Sequence, residues 1–249
     1  SWREIGDVTS AFWSNLFVHR GEVYLMGANR RFGGIVIRRS SDGGASWSDP
    51  ESGSTGLLRT DGEYHTAPMP IVEHSGRLWR AFEDMYPRRE WAKNFRALVM
   101  SIPVDADVLD AGAWTFANPL AGDPSWLGGE FGGWLEGNAV VAPDGQIVDM
   151  LRVDFRQHPT EKAALVRLSA DGKTATFSPE DFVDFPGGCK KFTVRQDPLT
   201  GLYFSLSNYV PGRFSYYNTE RARNSLALLS SEDLRSWEVR RIVLQHEDR

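Results

Sequence analysis

Glu136 and Arg152 stand at the two ends of a pair of short apolar segments in the middle of the chain. Pro143-Asp144-Gly145 separates the segments, and this turn composition between apolar runs predicts a β-hairpin. In an antiparallel hairpin the start of the first strand and the end of the second lie at the same end. We therefore expect a carboxylate and a guanidinium on neighbouring strands at one rim of a sheet. Such a pair suits a site that holds an anion and polarises a nucleophile.

The same hairpin pattern occurs four times along the chain. Each copy has two apolar strands around a polar turn, a further β-like run, and then a polar turn that ends near an aromatic residue. The copies recur roughly every 60–70 residues. Four antiparallel strands per repeat predict an all-β propeller. A β-sandwich is the alternative, but it does not predict the same turn at the same place in each repeat. We expect one propeller domain over residues 1–249, with repeats near 11–60, 65–118, 134–180 and 188–245.

Aligning the repeats predicts further residues at the rim of Glu136. Arg30, Glu83 and Asp84 follow second strands as Arg152 does, and His65 precedes a first strand as Glu136 does. We expect these side chains to face one funnel as substrate-binding wall residues rather than catalysts. Other residues at matching positions are Asn29, Tyr64, Lys190, Lys191 and Asn208.

Composition excludes several functions. The 249 residues are 41% hydrophobic, which indicates a globular chain, and no run of about 18 apolar residues predicts a membrane span. A net charge of −5 without a basic block argues against nucleic acid as a partner. The acids and His65 of the 61–65 segment match no common zinc or calcium spacing. Cys189 is the single cysteine, so no internal disulfide is expected. We expect neither a metal nor another cofactor.

Two turns have a mechanical interpretation. In Ser40-Ser41-Asp42-Gly43-Gly44-Ala45-Ser46-Trp47, the Asp42 carboxylate can accept backbone hydrogen bonds while Trp47 packs back on the hairpin. Ser231 to Trp237 is a weaker copy with Asp233 in the equivalent place. We expect both turns to be structural. Their predicted structural residues are Ser40, Asp42, Gly44, Trp47, Ser231, Asp233 and Trp237.

The Ser40–Trp47 turn resembles the Asp box of sialidases and other propellers with BNR repeats. The segment from Glu136 to Arg152 resembles the part of sialidases that holds the catalytic glutamate and one arginine of the carboxylate-binding triad. Arg223, just before the apolar run at 225–229, resembles the place of the next triad arginine. The order Asp box, Glu, Arg, Arg, degenerate Asp box covers most of the chain.

This resemblance implies a retaining exo-sialidase that removes terminal sialic acid, or a related acidic sugar, from glycans. Sialidases use a tyrosine nucleophile, because a neutral phenol is not repelled by the substrate carboxylate. On this basis Glu136 is the catalytic base for the tyrosine, and Arg152 and Arg223 clamp the carboxylate. The family also implies a secreted or periplasmic protein, although the sequence begins without a signal peptide.

Three family features have no counterpart in this sequence. The first triad arginine in an Arg-Ile-Pro segment is missing, because the equivalent strand reads Phe12-Trp13-Ser14-Asn15. The acid/base aspartate has no matching position, and no tyrosine follows Tyr217. One explanation is that the four repeats are interior blades of a six-bladed parent. The other is a divergent propeller that has lost the chemistry.

Two rival functions therefore stay open. The first is a non-catalytic glycan-binding propeller that keeps the arginines. The second is a glycosidase with two catalytic carboxylates, in which Glu136 works with Glu83 or Asp84. The long loop from Tyr209 to Arg223, with Tyr216 and Tyr217, is expected to cover the funnel.

Overall fold

The computed structural model describes residues 3–156, 160–212 and 218–247. These residues form four antiparallel sheets in chain order, each built from one of the four sequence repeats. The prediction of an all-β propeller is confirmed. Because alternating apolar residues and Gly-containing turns are local features, each hairpin forms where the sequence places it.

The first and second sheets are built from the first half of the chain. The first sheet has the strand order β1-β2-β3-β4, and the second has β10-β8-β7-β5, with β6 also on β7 and β9 also on β8. Their strands are β1 (Phe12–His19), β2 (Glu22–Ala28), β3 (Ile35–Ser40), β4 (Leu57–Arg59), β5 (Tyr64–His65), β6 (Val72–His74), β7 (Arg77–Met85), β8 (Phe95–Pro103), β9 (Thr115–Phe116) and β10 (Leu120–Ala121).

The third and fourth sheets follow the same plan. The third has the order β11-β12-β13-β14 with β15 also on β13, and the fourth has β16-β17-β18-β19. Their strands are β11 (Trp134–Val141), β12 (Ile147–Val153), β13 (Lys162–Leu168), β14 (Ala175–Thr176), β15 (Phe182–Asp184), β16 (Phe192–Gln196), β17 (Tyr203–Ser207), β18 (Ser225–Ser231) and β19 (Glu238–Gln245).

Helical structure in the described residues is confined to single turns. One four-residue α-helical turn, α1 (Trp126–Gly129), precedes the third sheet. Turns of 3-10 helix include Ala111–Ala113, Pro179–Asp181 and Thr219–Arg221. No helix in the described part of the chain is long and apolar enough to cross a membrane.

The core lies between successive sheets, which pack face to face. Trp79 and Val99 of the second sheet meet Trp134 and Leu151 of the third in the largest apolar cluster. Similar clusters fill the spaces between the first and second sheets and between the third and fourth. Every residue of β12 is buried. Charged residues on this strand are therefore held inside the protein, where their partners decide their chemistry.

Candidate functional site

Glu136 lies in a β-bulge near the start of β11. The pairing of β11 with β12 shifts register between Leu135 and Asn138, and Glu136 takes a left-handed backbone conformation with φ of +60°. This conformation is uncommon for residues other than glycine, and such strain is concentrated at functional sites. Only 2% of Glu136 is exposed. The sequence predicts the hairpin, but no local sequence feature predicts the bulge.

Gly137 permits the close approach of β12 beneath the bulge. A Cβ atom on Gly137 would lie 2.1 Å from a carboxylate oxygen of Asp149. Any side chain at this position would therefore push the two strands apart.

Two cations hold the Glu136 carboxylate. Arg152 Nη1 lies 3.2 Å from Glu136 Oε2, and Lys191 Nζ forms an ion pair with Oε1. Burial opposes ionisation of Glu136, but the charges of Arg152 and Lys191 outweigh it and lower the pKa of this carboxyl group. Glu136 is therefore a carboxylate at neutral pH. The predicted meeting of Glu136 and Arg152 at one rim is what the structure shows.

The turn before β16 brings Lys191 to this position, and Glu161 holds that turn. The Glu161 carboxylate accepts backbone hydrogen bonds from Gly187 at 2.8 Å and Cys189 at 3.3 Å, and it forms a buried ion pair with Lys190. Burial raises the pKa of Glu161, although Lys190 acts in the opposite direction.

The same turn also positions the guanidinium of Arg152. The carbonyl oxygen of Cys189 accepts a 2.9 Å hydrogen bond from Arg152 Nε. By holding this turn, Glu161 therefore positions both cations that contact Glu136, the guanidinium of Arg152 and the ammonium group of Lys191. Sequence reasoning missed it, because its partners lie more than 20 residues further along the chain.

Glu83 and His65 complete the rim on the side of the second sheet. Glu83 Oε1 accepts a 3.0 Å hydrogen bond from the backbone N–H of Gly137, and Oε2 lies 2.6 Å from His65 Nδ1. Both side chains are buried. Aromatic rings surround His65, including Trp13 at 4.6 Å and Trp91 at 5.5 Å between ring centroids. The structure thus brings together Glu136, Arg152, Glu83 and His65 from the predicted set.

Two further charged residues, Arg80 and Asp149, are buried on the strands that carry Glu83 and Arg152. Arg80 and Asp149 stand three residues before Glu83 and Arg152 on their strands. Arg80 Nη2 donates to the carbonyl of Ala67 at 2.6 Å, while two other nitrogens of Arg80 and both oxygens of Asp149 have no hydrogen-bond partner among the described residues.

Burial shifts the pKa values of Arg80 and Asp149 in opposite directions. It lowers the pKa of Arg80 to about 10, with the Glu83 charge acting the other way. It raises the pKa of Asp149 well above the ordinary range, and the negative charge of Glu83 adds to the shift. Asp149 therefore keeps its proton to a higher pH than an exposed aspartate does. Sequence reasoning missed both residues, although a charge inside an otherwise apolar strand is a visible signal.

The remaining predicted binding residues lie further from Glu136. Arg223 is exposed, and its Nε donates to the carbonyl of Glu220 at 3.0 Å. Glu220 Oε1 lies 3.5 Å from Arg152 Nη2, so Glu220 links Arg223 to the cluster. The charge of Arg223 also acts on Lys190. Arg96 holds Asp84 in a bidentate pair at 2.8 and 2.6 Å. Arg30 is exposed, and its charge acts on Glu63.

The loop that contains Glu220 was expected to cover the funnel. Its tyrosines, Tyr216 and Tyr217, lie outside the described residues. Among the described residues, no group of three or more His, Cys, Asp and Glu side chains is arranged to hold a metal ion.

The two turns with a mechanical interpretation share one hydrogen-bond pattern. Asp42 Oδ1 accepts from the backbone of Ser46 at 2.9 Å and from Ser40 Oγ at 2.7 Å, and Trp47 Nε1 donates to the carbonyl of Gly44 at 3.1 Å. The Ser46 and Ser40 hydrogen bonds hold the pKa of Asp42 below its ordinary value.

The second turn repeats these contacts. Asp233 Oδ1 accepts from the backbone of Ser236 at 2.7 Å and from Ser231 Oγ at 3.0 Å, and Trp237 Nε1 donates to the carbonyl of Leu234 at 2.9 Å. Both turns follow a third strand, which starts at the rim of Glu136 and ends at the opposite end of the sheet. They therefore lie away from the site.

No protein-family model and no curated protein matches this sequence. Solved structures of similar fold are found at low identity. An exo-beta-1,3-galactanase from Clostridium thermocellum is 15% identical with a TM-score of 0.57, over 96% of this chain and 49% of that one. Trypanosoma rangeli sialidase is 13% identical with a TM-score of 0.58, over 94% of this chain and 38% of that one. A family 117 glycoside hydrolase from Zobellia galactanivorans is 12% identical with a TM-score of 0.55, over 93% and 68%.

These similarities establish the propeller fold. The chain spans about half the length of the galactanase structure and less of the sialidase structure.

Proposed function

We propose that this chain is a glycoside hydrolase whose catalytic carboxylate is Glu136. One observation carries the proposal: a strained, buried carboxylate is held ionised by Arg152 and Lys191 at the rim of a propeller. Strain and a perturbed pKa at one residue are costly, and proteins keep them where chemistry needs them. The proteins of similar fold that are named as an exo-beta-1,3-galactanase and a family 117 glycoside hydrolase support this reaction class.

The lowered pKa defines the role of Glu136. A group that is ionised at neutral pH acts as a base or a nucleophile, whereas a general acid must carry a proton. Arg152 and Lys191 keep the carboxylate charged, and Gly137 fixes its backbone next to Glu83. Glu136 is therefore assigned as the base or nucleophile of the reaction.

The finer proposal is a terminal acidic sugar such as sialic acid. The support is Glu220, whose carboxylate contacts both Arg152 Nη2 and Arg156 Nε, at 3.5 and 3.3 Å. An internal carboxylate thus occupies an anion position next to Glu136, and a substrate carboxylate that displaces it would meet the guanidinium of Arg152. Arg223, on the same short segment as Glu220, would supply the second charge. A sialidase mechanism further requires a tyrosine that Glu136 can deprotonate.

A second candidate is hydrolysis by two carboxylates. It is favoured by the hydrogen bond from the Gly137 N–H to Glu83, which brings a second buried carboxyl group next to the Glu136 bulge. In this case Glu83 and Glu136 share the acid and base roles on a neutral sugar.

The test is turnover of aryl glycosides by the wild-type protein, Glu136→Gln and Glu83→Gln. The substrates are an aryl sialoside, galactoside and arabinofuranoside. Glu136→Gln is expected to lose roughly 10²-fold or more in kcat. Glu73→Gln, at an exposed position, is the matched control. Circular dichroism and Tm establish that each variant folds, because removing one partner of a buried pair costs about 3–5 kcal/mol.

The outcomes separate the alternatives. Hydrolysis of the sialoside that depends on Glu136 supports the acidic sugar. Hydrolysis of a neutral glycoside that depends on both Glu136 and Glu83 supports the two-carboxylate mechanism. Turnover by a folded Glu136→Gln protein at the wild-type rate contradicts both. Sugar binding without turnover in the wild-type protein would indicate a glycan-binding propeller instead.

A further inference from the structure

A groove opens beside the Glu136 rim, between the loop that joins β7 to β8 and the loop that joins β10 to β11. The groove consists of two adjoining clefts that share Lys93 and Gly132. The larger cleft has a volume of about 450 Å³ and the smaller about 160 Å³. The larger volume falls in the usual range of small-molecule sites.

The inner end of the groove adjoins the proposed catalytic cluster. Asp154 and Arg156 line it and form a bidentate pair, with both contacts at 2.6 Å. Arg156 Nε lies 3.3 Å from Glu220, which in turn contacts Arg152. A ligand lying in the groove would therefore place one end next to the residues around Glu136.

Two aromatic side chains stand exposed along the groove. Trp91 lines the larger cleft and is 42% exposed, while Tyr86 lines the smaller one and is 63% exposed. Neither ring is loose, because Trp91 packs against Phe95 at 5.4 Å and the Arg96 guanidinium lies 4.7 Å from the Tyr86 ring. Exposed aromatic rings in fixed positions are typical of binding surfaces.

The three cations that line the groove are each paired with a carboxylate. Arg96 binds Asp84, Arg156 binds Asp154, and Lys93 Nζ lies 3.1 Å from Glu90. Paired charges leave little net potential to attract a polyanion, but they present many hydrogen-bond donors and acceptors. Aromatic faces alternating with such groups match a sugar chain, whose rings have apolar C–H faces and hydroxyl edges.

We propose that this groove binds an oligosaccharide that extends from the sugar held at Glu136. Trp91 supports the unit nearer the catalytic cluster, and Tyr86 supports a more distant unit. The chemical class of the ligand rests on the proposed function, whereas the groove itself does not depend on catalysis.

The experiment compares oligosaccharides with a single sugar. An array of neutral and acidic oligosaccharides identifies glycans that bind the wild-type protein. A trisaccharide from the array is then titrated by calorimetry against the wild-type protein, Trp91→Ala, Tyr86→Ala and the control Leu199→Ala, whose side chain is 93% exposed. Each groove variant is expected to weaken binding roughly tenfold, or about 1.4 kcal/mol. Leu199→Ala is expected to bind as the wild type does.

A kinetic measurement separates this inference from the proposed function. Tyr86→Ala is expected to leave hydrolysis of an aryl monosaccharide unchanged. If the protein binds the trisaccharide through Trp91 and Tyr86 but hydrolyses no glycoside, the groove is supported and the proposed hydrolase activity is refuted. Hydrolysis with wild-type oligosaccharide affinity in both folded variants, or an array on which nothing binds, would refute the groove. Because two separate positions are tested, misfolding of one variant leaves the other as the test.

Discussion

Asp149→Asn provides a sharp test of the electrostatics beneath the site. Asp149 is fully buried, and neither carboxylate oxygen has a hydrogen-bond partner among the described residues. Burial raises its pKa, so it is neutral in the folded protein and ionised in the unfolded chain at intermediate pH. The unfolded state then binds fewer protons than the folded state. Stability therefore falls as the pH rises from the ordinary pKa of the carboxyl group towards its raised folded value.

The size of the effect follows from this proton difference. Asparagine has nearly the same shape as aspartate and does not ionise, so Asp149→Asn removes this pH-dependent loss of stability. Within that window, the free energy of unfolding of the variant should rise relative to that of the wild-type protein by about 1.4 kcal/mol for each pH unit. Other titrating groups cancel in the comparison, since both proteins carry them.

The assay is urea unfolding followed by tryptophan fluorescence, at several pH values above the ordinary pKa of an aspartate. The expected result is a free energy difference that favours Asp149→Asn and grows with pH. The competing interpretation is that Asp149 is ionised and paired with Arg80. In that case the substitution would destabilise the protein by about 3–5 kcal/mol, and the variant would not become relatively more stable as the pH rises. That result would refute the reasoning and show that Asp149 is ionised in the folded protein.

Two further substitutions probe the parts that hold the site. Gly137→Ala should destabilise the protein by about 1–3 kcal/mol, because the new methyl group overlaps the Asp149 carboxylate; thermal unfolding measures it. Glu161→Gln should destabilise the protein by about 3–5 kcal/mol, because it leaves Lys190 buried without its countercharge; urea unfolding measures it. If the protein is an enzyme, Glu161→Gln should also alter its pH–rate profile.

Each substitution has a matched control. Gly145→Ala lies in the open β11–β12 turn with nothing within 4 Å of the added Cβ and φ of +80°, so it should cost only about 1 kcal/mol of backbone strain. Asp184→Asn removes a partner of the more exposed Lys162 and should cost at most about 1 kcal/mol. Equal effects of a substitution and its control would contradict the assignment.

Local sequence patterns predict much of the fold. Alternating apolar residues and the Pro143-Asp144-Gly145 turn predict the β11–β12 hairpin, and the observed pairing of Val141 with Ile147 follows from the turn length. The bulge then shifts the register, so that Arg152 pairs with Leu135. The fourfold repeat predicts the sheets, because each copy carries its own turn signals. Repetition also placed His65 and Lys191 near the same rim as Glu136.

The sequence by itself determined that Glu136 and Arg152 would lie at one rim on neighbouring strands, since a hairpin brings the start of its first strand next to the end of its second. Only the tertiary structure decided what surrounds them: the bulge that turns Glu136, the Glu220 carboxylate on Arg152, and the turn held by Glu161. These contacts join segments of different sheets or distant loops. Their energy depends on burial and on charges brought together by packing, and neither quantity exists until the sheets assemble.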